Sequence, residues 1–171
     1  MKTINKILIG AGLFVGAYYI YRKVIYQKMS LKGIDFLIAR EGFRNAAYKD
    51  SKGLWTIGVG HLIQPNENYL LTKTLTNNEV LQLLKKDITK YEKAVNDSIL
   101  FPLSQNKFDA LVSLAFNIGV EAFKTSTLSK RINSKLSPEE ISSAFLMWNK
   151  PASVIGRRNL ELNLYNTGNY S

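Results

Sequence analysis

The run Glu41-Gly42-Phe43-Arg44-Asn45-Ala46-Ala47-Tyr48-Lys49-Asp50-Ser51-Lys52-Gly53-Leu54-Trp55-Thr56-Ile57-Gly58-Val59-Gly60-His61 places two carboxylates and a hydroxyl between an apolar segment and a glycine-rich, turn-forming one. Ahead of it, Leu31, Ile34, Leu37 and Ile38 recur at helical spacing, which predicts a helix ending at or near Glu41. The helix macrodipole is negative at that end, so the Glu41 carboxyl is expected to be raised in pKa unless a cation compensates. Such an acid suits proton donation. Residues 46–49 and 54–59 are β-prone runs joined by the polar turn Ser51-Lys52-Gly53, and Asp50 at its start is expected to be wet and ionised. Two carboxyls in contrasting environments are the minimum for cleaving a glycosidic bond, and Thr56 adds a hydroxyl able to orient water. With 13 Asp and Glu in the chain such pairs are common, and the plain reading is an exposed helix-end Glu and a turn Asp. The glycines of 58 and 60 lift the pair above that, because they thin the strand and admit another backbone or a ligand.

Residues 76–97 open on the capping-box pattern Thr76-Asn77-Asn78-Glu79 and carry Val80, Leu83, Leu84, Ile88 and Tyr91 along a long helix. Residues 103–119 are apolar nearly all round, through Phe108, Leu111, Val112, Leu114, Ala115 and Phe116, so this helix is expected at the buried centre of a helical lobe. Ser137-Pro138-Glu139-Glu140 is a further helix start, and Gly168 a helix stop. No repeat or long linker divides residues 31–171, so they form one domain.

The segment 41–61 resembles the catalytic region of the bacteriophage lysozymes (endolysins), muramidases whose Glu, Asp and Thr fall at the same separations as Glu41, Asp50 and Thr56. The resemblance extends through 76–97, 103–119, Ser126-Thr127-Leu128, Trp148, and Arg157-Arg158 with Glu161. It implies an α+β, mostly helical, two-lobed lysozyme-like domain: a small antiparallel sheet lobe, a long inter-lobe helix and a helical C-terminal lobe. It also implies hydrolysis of the β-1,4 bond between N-acetylmuramic acid and N-acetylglucosamine in peptidoglycan, with Glu41, Asp50 and Thr56 catalytic and Leu62, Phe116, Asn117 and Thr127 lining the glycan groove. Ser142 is a lesser candidate for that groove. By the same resemblance Arg157 pairs with Glu41, and His61, the only histidine, pairs with Asp87 in a structural tie rather than in catalysis. Arg158 is expected on the surface, and Trp148 in the core. No metal spacing appears around the lone histidine, and neither metal nor cofactor is expected. Lytic transglycosylase chemistry and an idle wall-binding module are the alternatives; the former needs no water-activating Asp, and the intact Glu, Asp and Thr argue against both.

The chain of 171 residues has no cysteine, which removes disulfides and thiol switching, and its 46% hydrophobic content supports a real core. Its formal charge of +10 matches an anionic cell envelope; no nucleic-acid recognition motif accompanies it. Residues 1–30 carry five Lys and Arg and no acid, and 7–21 hold no charge at all. A stretch of that length falls short of the ~20 apolar residues of a spanning helix, though flanking lysines extend it by snorkelling. No small-x-small cleavage site closes it, so residues 1–30 read as an uncleaved anchor in the cytoplasmic membrane, with the domain acting in the periplasm or wall as a monomer. Its Gly and Ala content, with Gly12 and Gly16 on one face, resembles the signal-arrest-release segments of phage endolysins.

Overall fold

A computed structural model describes residues 26–171. The apolar stretch 7–21 lies outside the described residues, and among those described no helix is long and apolar enough to cross a membrane. Residues 27–30 form a strap bound to the body rather than leading up to it. Gln27 N–H donates to Asn96 Oδ1 (3.0 Å), Met29 N–H to the buried Glu92 (2.8 Å), and Ser30 N–H to the buried Asp109 (3.1 Å). The folded body therefore takes in residues 27–30, the last of the segment read as an anchor.

Ser30 caps helix α1, Leu31–Glu41, by accepting from Gly33 N–H, and Gly42, at φ +82°, ends it. The sheet follows, with β1 at Arg44–Lys49, β2 at Trp55–Gly58 and β3 at His61–Leu62, antiparallel in the order β1-β2-β3. Tyr48 pairs with Thr56 and Thr56 with Leu62, with a bulge between Arg44 and Tyr48. A 3-10 turn, Pro65–Leu71, leads to α2, Asn77–Ser98, whose Thr76 and Glu79 form the expected capping box. This helix packs on all three strands at one end. At the other it meets α3, Gln105–Ile118, and α4, Val120–Thr125.

Helix α3 is the centre of the helical lobe, with every residue from Phe108 to Ala115 buried. Around it stand α5, Thr127–Asn133, α6, Pro138–Leu146, and α7, Ile155–Thr167. Ser137 caps α6 in a capping box, and Gly168 ends α7 in the left-handed conformation at φ +76°, both as the sequence predicts. The architecture is α+β, mostly helical, with one small antiparallel sheet. Two glycines set how closely parts approach. A Cβ on Gly33 would lie 2.6 Å from Asp109 Cγ, so α1 and α3 meet with no room for a methyl group. Gly60, at φ +72°, brings the β2–β3 turn against Glu41 and Phe116.

Candidate active site

Glu41 is the last residue of α1, and the cation its position calls for is present: Arg157 Nη1 donates to Glu41 Oε1 at 2.5 Å from α7. Arg157 is committed in every direction. Its Nε donates to Glu161 Oε1 (2.9 Å) and its Nη2 to the Ser113 carbonyl (3.1 Å). Glu161 is fully buried and also accepts from Ser113 Oγ (2.7 Å) and from Arg158 Nη1. Burial works against the Arg157 charge, yet Glu161 and Glu41 more than offset it and its pKa is raised. Arg158, by contrast, is lowered by burial.

Arg158 is not the surface arginine the sequence suggests. It is 1% exposed, donating Nε to the Trp148 carbonyl (3.0 Å) and Nη2 to Asn117 Oδ1 (2.7 Å). The i+3 and i+4 spacing of Arg158 and Arg157 to Glu161 already encodes the pairing on one helix face. Trp148 is half-buried and lines grooves on two sides.

Asp50 sits on the β1–β2 turn. Its Oδ1 accepts from Lys52 N–H (2.8 Å) and Leu54 N–H (2.9 Å), an arrangement that fixes the carboxylate while Oδ2 takes no hydrogen bond from the described residues. Thr56 is buried on β2, its hydroxyl making a long contact to the Leu54 carbonyl (3.3 Å). Leu62 is paired across from Thr56 on β3 and exposed. Gly60 brings that side of the sheet to Glu41 Oε2 and Phe116 Cε1, with 3.7 Å from each to a Cβ built there. Phe116 in turn packs against Tyr91 of α2 with the rings tilted by 49°, at 4.8 Å between centroids.

Asn117 borders a groove of about 210 Å³ with Trp148, Lys150 and Arg158, and Thr127 borders an adjoining one of about 240 Å³ with Met147 and Trp148. Ser142 is half-buried on α6 and accepts from Asn166 Nδ2 (3.3 Å).

His61 is held away from this chemistry. Nδ1 pairs with Asp87 Oδ2 at 2.8 Å, and Nε2 pairs with Glu67 Oε2 at 2.9 Å. With a carboxylate on each ring nitrogen the imidazolium is favoured, and the His61 pKa is raised, first by Asp87 and, against burial, by Glu67. Burial pushes the Glu67 carboxyl up, but His61 and the Gln64 N–H outweigh it and the pKa is lowered. The Glu67 contact was not foreseen. Its signal is the capping box of the 3-10 turn, in which Glu67 turns back toward Gln64. Among the described residues no cluster of three or more metal-ligating side chains occurs.

The model of the Phage lysozyme family matches residues 39–161, from the end of α1 through Glu161. The chain belongs to the phage lysozyme family. It is therefore a glycosidase that acts on peptidoglycan. It is 39% identical over 144 residues to the endolysin of Salmonella phage P22, covering 81% of this chain and 98% of that one. The structure of an endolysin from Escherichia coli O157:H7 phage FAHEc1 superposes with a TM-score of 0.78 at 34% identity, covering 85% of this chain and 97% of that one. A relative of another kind is the SAR-endolysin of Haemophilus phage HP1, 30% identical over 134 residues, 74% of this chain and 70% of that protein.

Proposed function

We propose that the protein is a muramidase that cleaves the β-1,4 bond between N-acetylmuramic acid and N-acetylglucosamine. Glu41 protonates the leaving oxygen, Asp50 activates water or stabilises the positive charge developing on the sugar, and Thr56 positions that water. The observation that carries this reading is the contrast between the two carboxyls. Glu41 is held at a helix end by a fully committed arginine, whereas Asp50 is fixed through one oxygen and offers the other. The polysaccharide lies across Leu62, Phe116, Asn117 and Thr127, with no cofactor. A single displacement by water inverts the anomeric carbon.

Glu41→Gln is expected to abolish clearing of a peptidoglycan suspension while the circular dichroism spectrum is kept; clearing at the wild-type rate would end this assignment. Products carry new reducing ends, and anhydromuramyl ends instead would identify a transglycosylase. Outside the catalytic domain, the charge-free stretch 7–21 and the SAR-endolysin relative support a chain that is held at the cytoplasmic membrane and acts on the wall as a monomer after release. Fractionation before and after depolarisation tests release, and a chain found with the membrane in both samples would be a permanent tether.

A further inference from the structure

The arginine that touches Glu41 creates a difficulty for a general acid, because a cation in contact with a carboxyl favours its ionised form. The structure contains an answer one residue further on. Arg157 is shared: its Nη1 points to Glu41 and its Nε to Glu161, which is 0% exposed, has no role in the chemistry above and is held by Ser113 Oγ and Arg158 Nη1. We infer that Glu161 is a positioning residue that meters how much of the Arg157 positive charge reaches Glu41, and so sets where activity fails as pH rises. This rests on Glu41 being the proton donor.

The charges around the pair can be named. Arg157 and Arg158 face Glu161 from its own helix, with Ser113 opposite on α3. Arg40 of α1, next in sequence to Glu41, is close enough to feel both Glu161 and Arg157; burial lowers its pKa, and its Nη1 is tied to the Phe36 carbonyl. Toward the sheet, Glu41 meets Gly60, with Phe116 beside that glycine and Tyr91 against Phe116; His61, next in sequence to Gly60, is a further titratable group, paired with Asp87 and Glu67. With Glu41 ionised, three arginines stand against two carboxylates, and Glu161 is the group that keeps the excess from being larger. Its geometry fits metering better than simple support. One oxygen faces Arg157 and the other Arg158, so it draws on both cations at once.

The test is the pH dependence of kcat/KM on solubilised peptidoglycan at fixed ionic strength. Glu161→Gln removes a negative charge and is expected to move the alkaline limb down by about one pH unit. That is the low end of the ~1 to 3 units a charge in direct contact produces, since Glu161 acts through one guanidinium. Arg158→Gln removes a positive charge and moves the limb up, by less. The double variant E161Q/R158Q restores the charge balance, and its limb returns to the wild-type position.

A purely structural role lowers activity without moving the limb in opposite directions. Limbs that coincide in all folded variants would overturn the inference, and so would two single variants that shift the same way. If E161Q does not fold, R158Q alone still gives the sign. The two readings fail separately: an active E41Q removes the acid itself, while an inactive E41Q with immobile limbs removes only the metering by Glu161.

Discussion

The His61 triad makes a stability prediction whose size and sign both follow from geometry. His61, Asp87 and Glu67 side chains are 10%, 18% and 15% exposed, so their contacts of 2.8 and 2.9 Å are only partly screened. A hydrogen bond to a charged group contributes ~1.5 to 3 kcal/mol. Asp87→Asn is therefore expected to cost about 2 kcal/mol at pH 6, a fall in Tm of roughly 4 to 8 °C for a domain of this size. The His61 pKa is raised in the folded protein, so the imidazolium contribution is complete below the unfolded value of ~6.5 and is lost as pH rises through the folded value. Glu67 behaves in the opposite sense. Lowered from 4.5, it contributes above that value and its share is lost as pH falls through the folded one.

The triad is thus strongest between those limits, and the D87N deficit shrinks toward about 1 kcal/mol as pH rises through the folded His61 value, beyond which the neutral ring still donates one bond. Because the chain has one histidine and no cysteine, the slope of Tm between pH 6.5 and 9 belongs largely to His61. Thermal unfolding of wild type, D87N and His61→Gln at pH 6 and 9 measures all of this. Equal pH slopes in wild type and H61Q, or a D87N deficit unchanged between the two pH values, would refute the reasoning. Peptidoglycan clearing by D87N should remain substantial at temperatures where it is folded.

Asp50→Asn keeps an oxygen for the Lys52 and Leu54 N–H groups, so it is expected to lose most activity with less than about 1 kcal/mol of stability, whereas Asp50→Ala loses both; denaturant midpoints beside lysis rates separate the two. Gly33→Ala puts a methyl 2.6 Å from Asp109 Cγ and 2.9 Å from Met29 Cγ, and overpacking of this kind costs ~1 to 3 kcal/mol, read as a lower urea midpoint. Ser137→Ala breaks the α6 capping box and is expected to cost about 1 kcal/mol without changing kcat/KM, as α6 contributes no catalytic group.

Much of this molecule is legible locally. Helix ends marked by Thr76, Ser137 and Gly168 lie where side-chain caps and glycine place them, because capping is a contest within four residues of chain. The catalytic candidates rest on another signal, the spacing of Glu41, Asp50 and Thr56 within one segment. The cluster behind Glu41 was harder to read. Arg158 and Glu161 look like an ordinary solvated helix pair until α3 covers them, and only the fold shows that Ser113, a hydroxyl inside an apolar helix, completes their partners. Trp148 reads as core from its type, and it does pack against the core, but only partly buried, with two grooves beside it. Glu67 was missed because a loop residue gives no periodic signal for a contact made through the turn it caps.

The strap has a mechanical consequence. Gln27, Lys28, Met29 and Ser30 are fastened one after another, to Asn96 and Leu103, to Glu92, and to Asp109, before α1 begins. A pull on the strap loads these bonds against α2, which supplies Glu92 and Asn96, and α3, which supplies Asp109, while Glu41 stands at the far end of α1. They work as the strain relief on a cable does: a load on the strap meets these bonds before it meets α1 and Glu41.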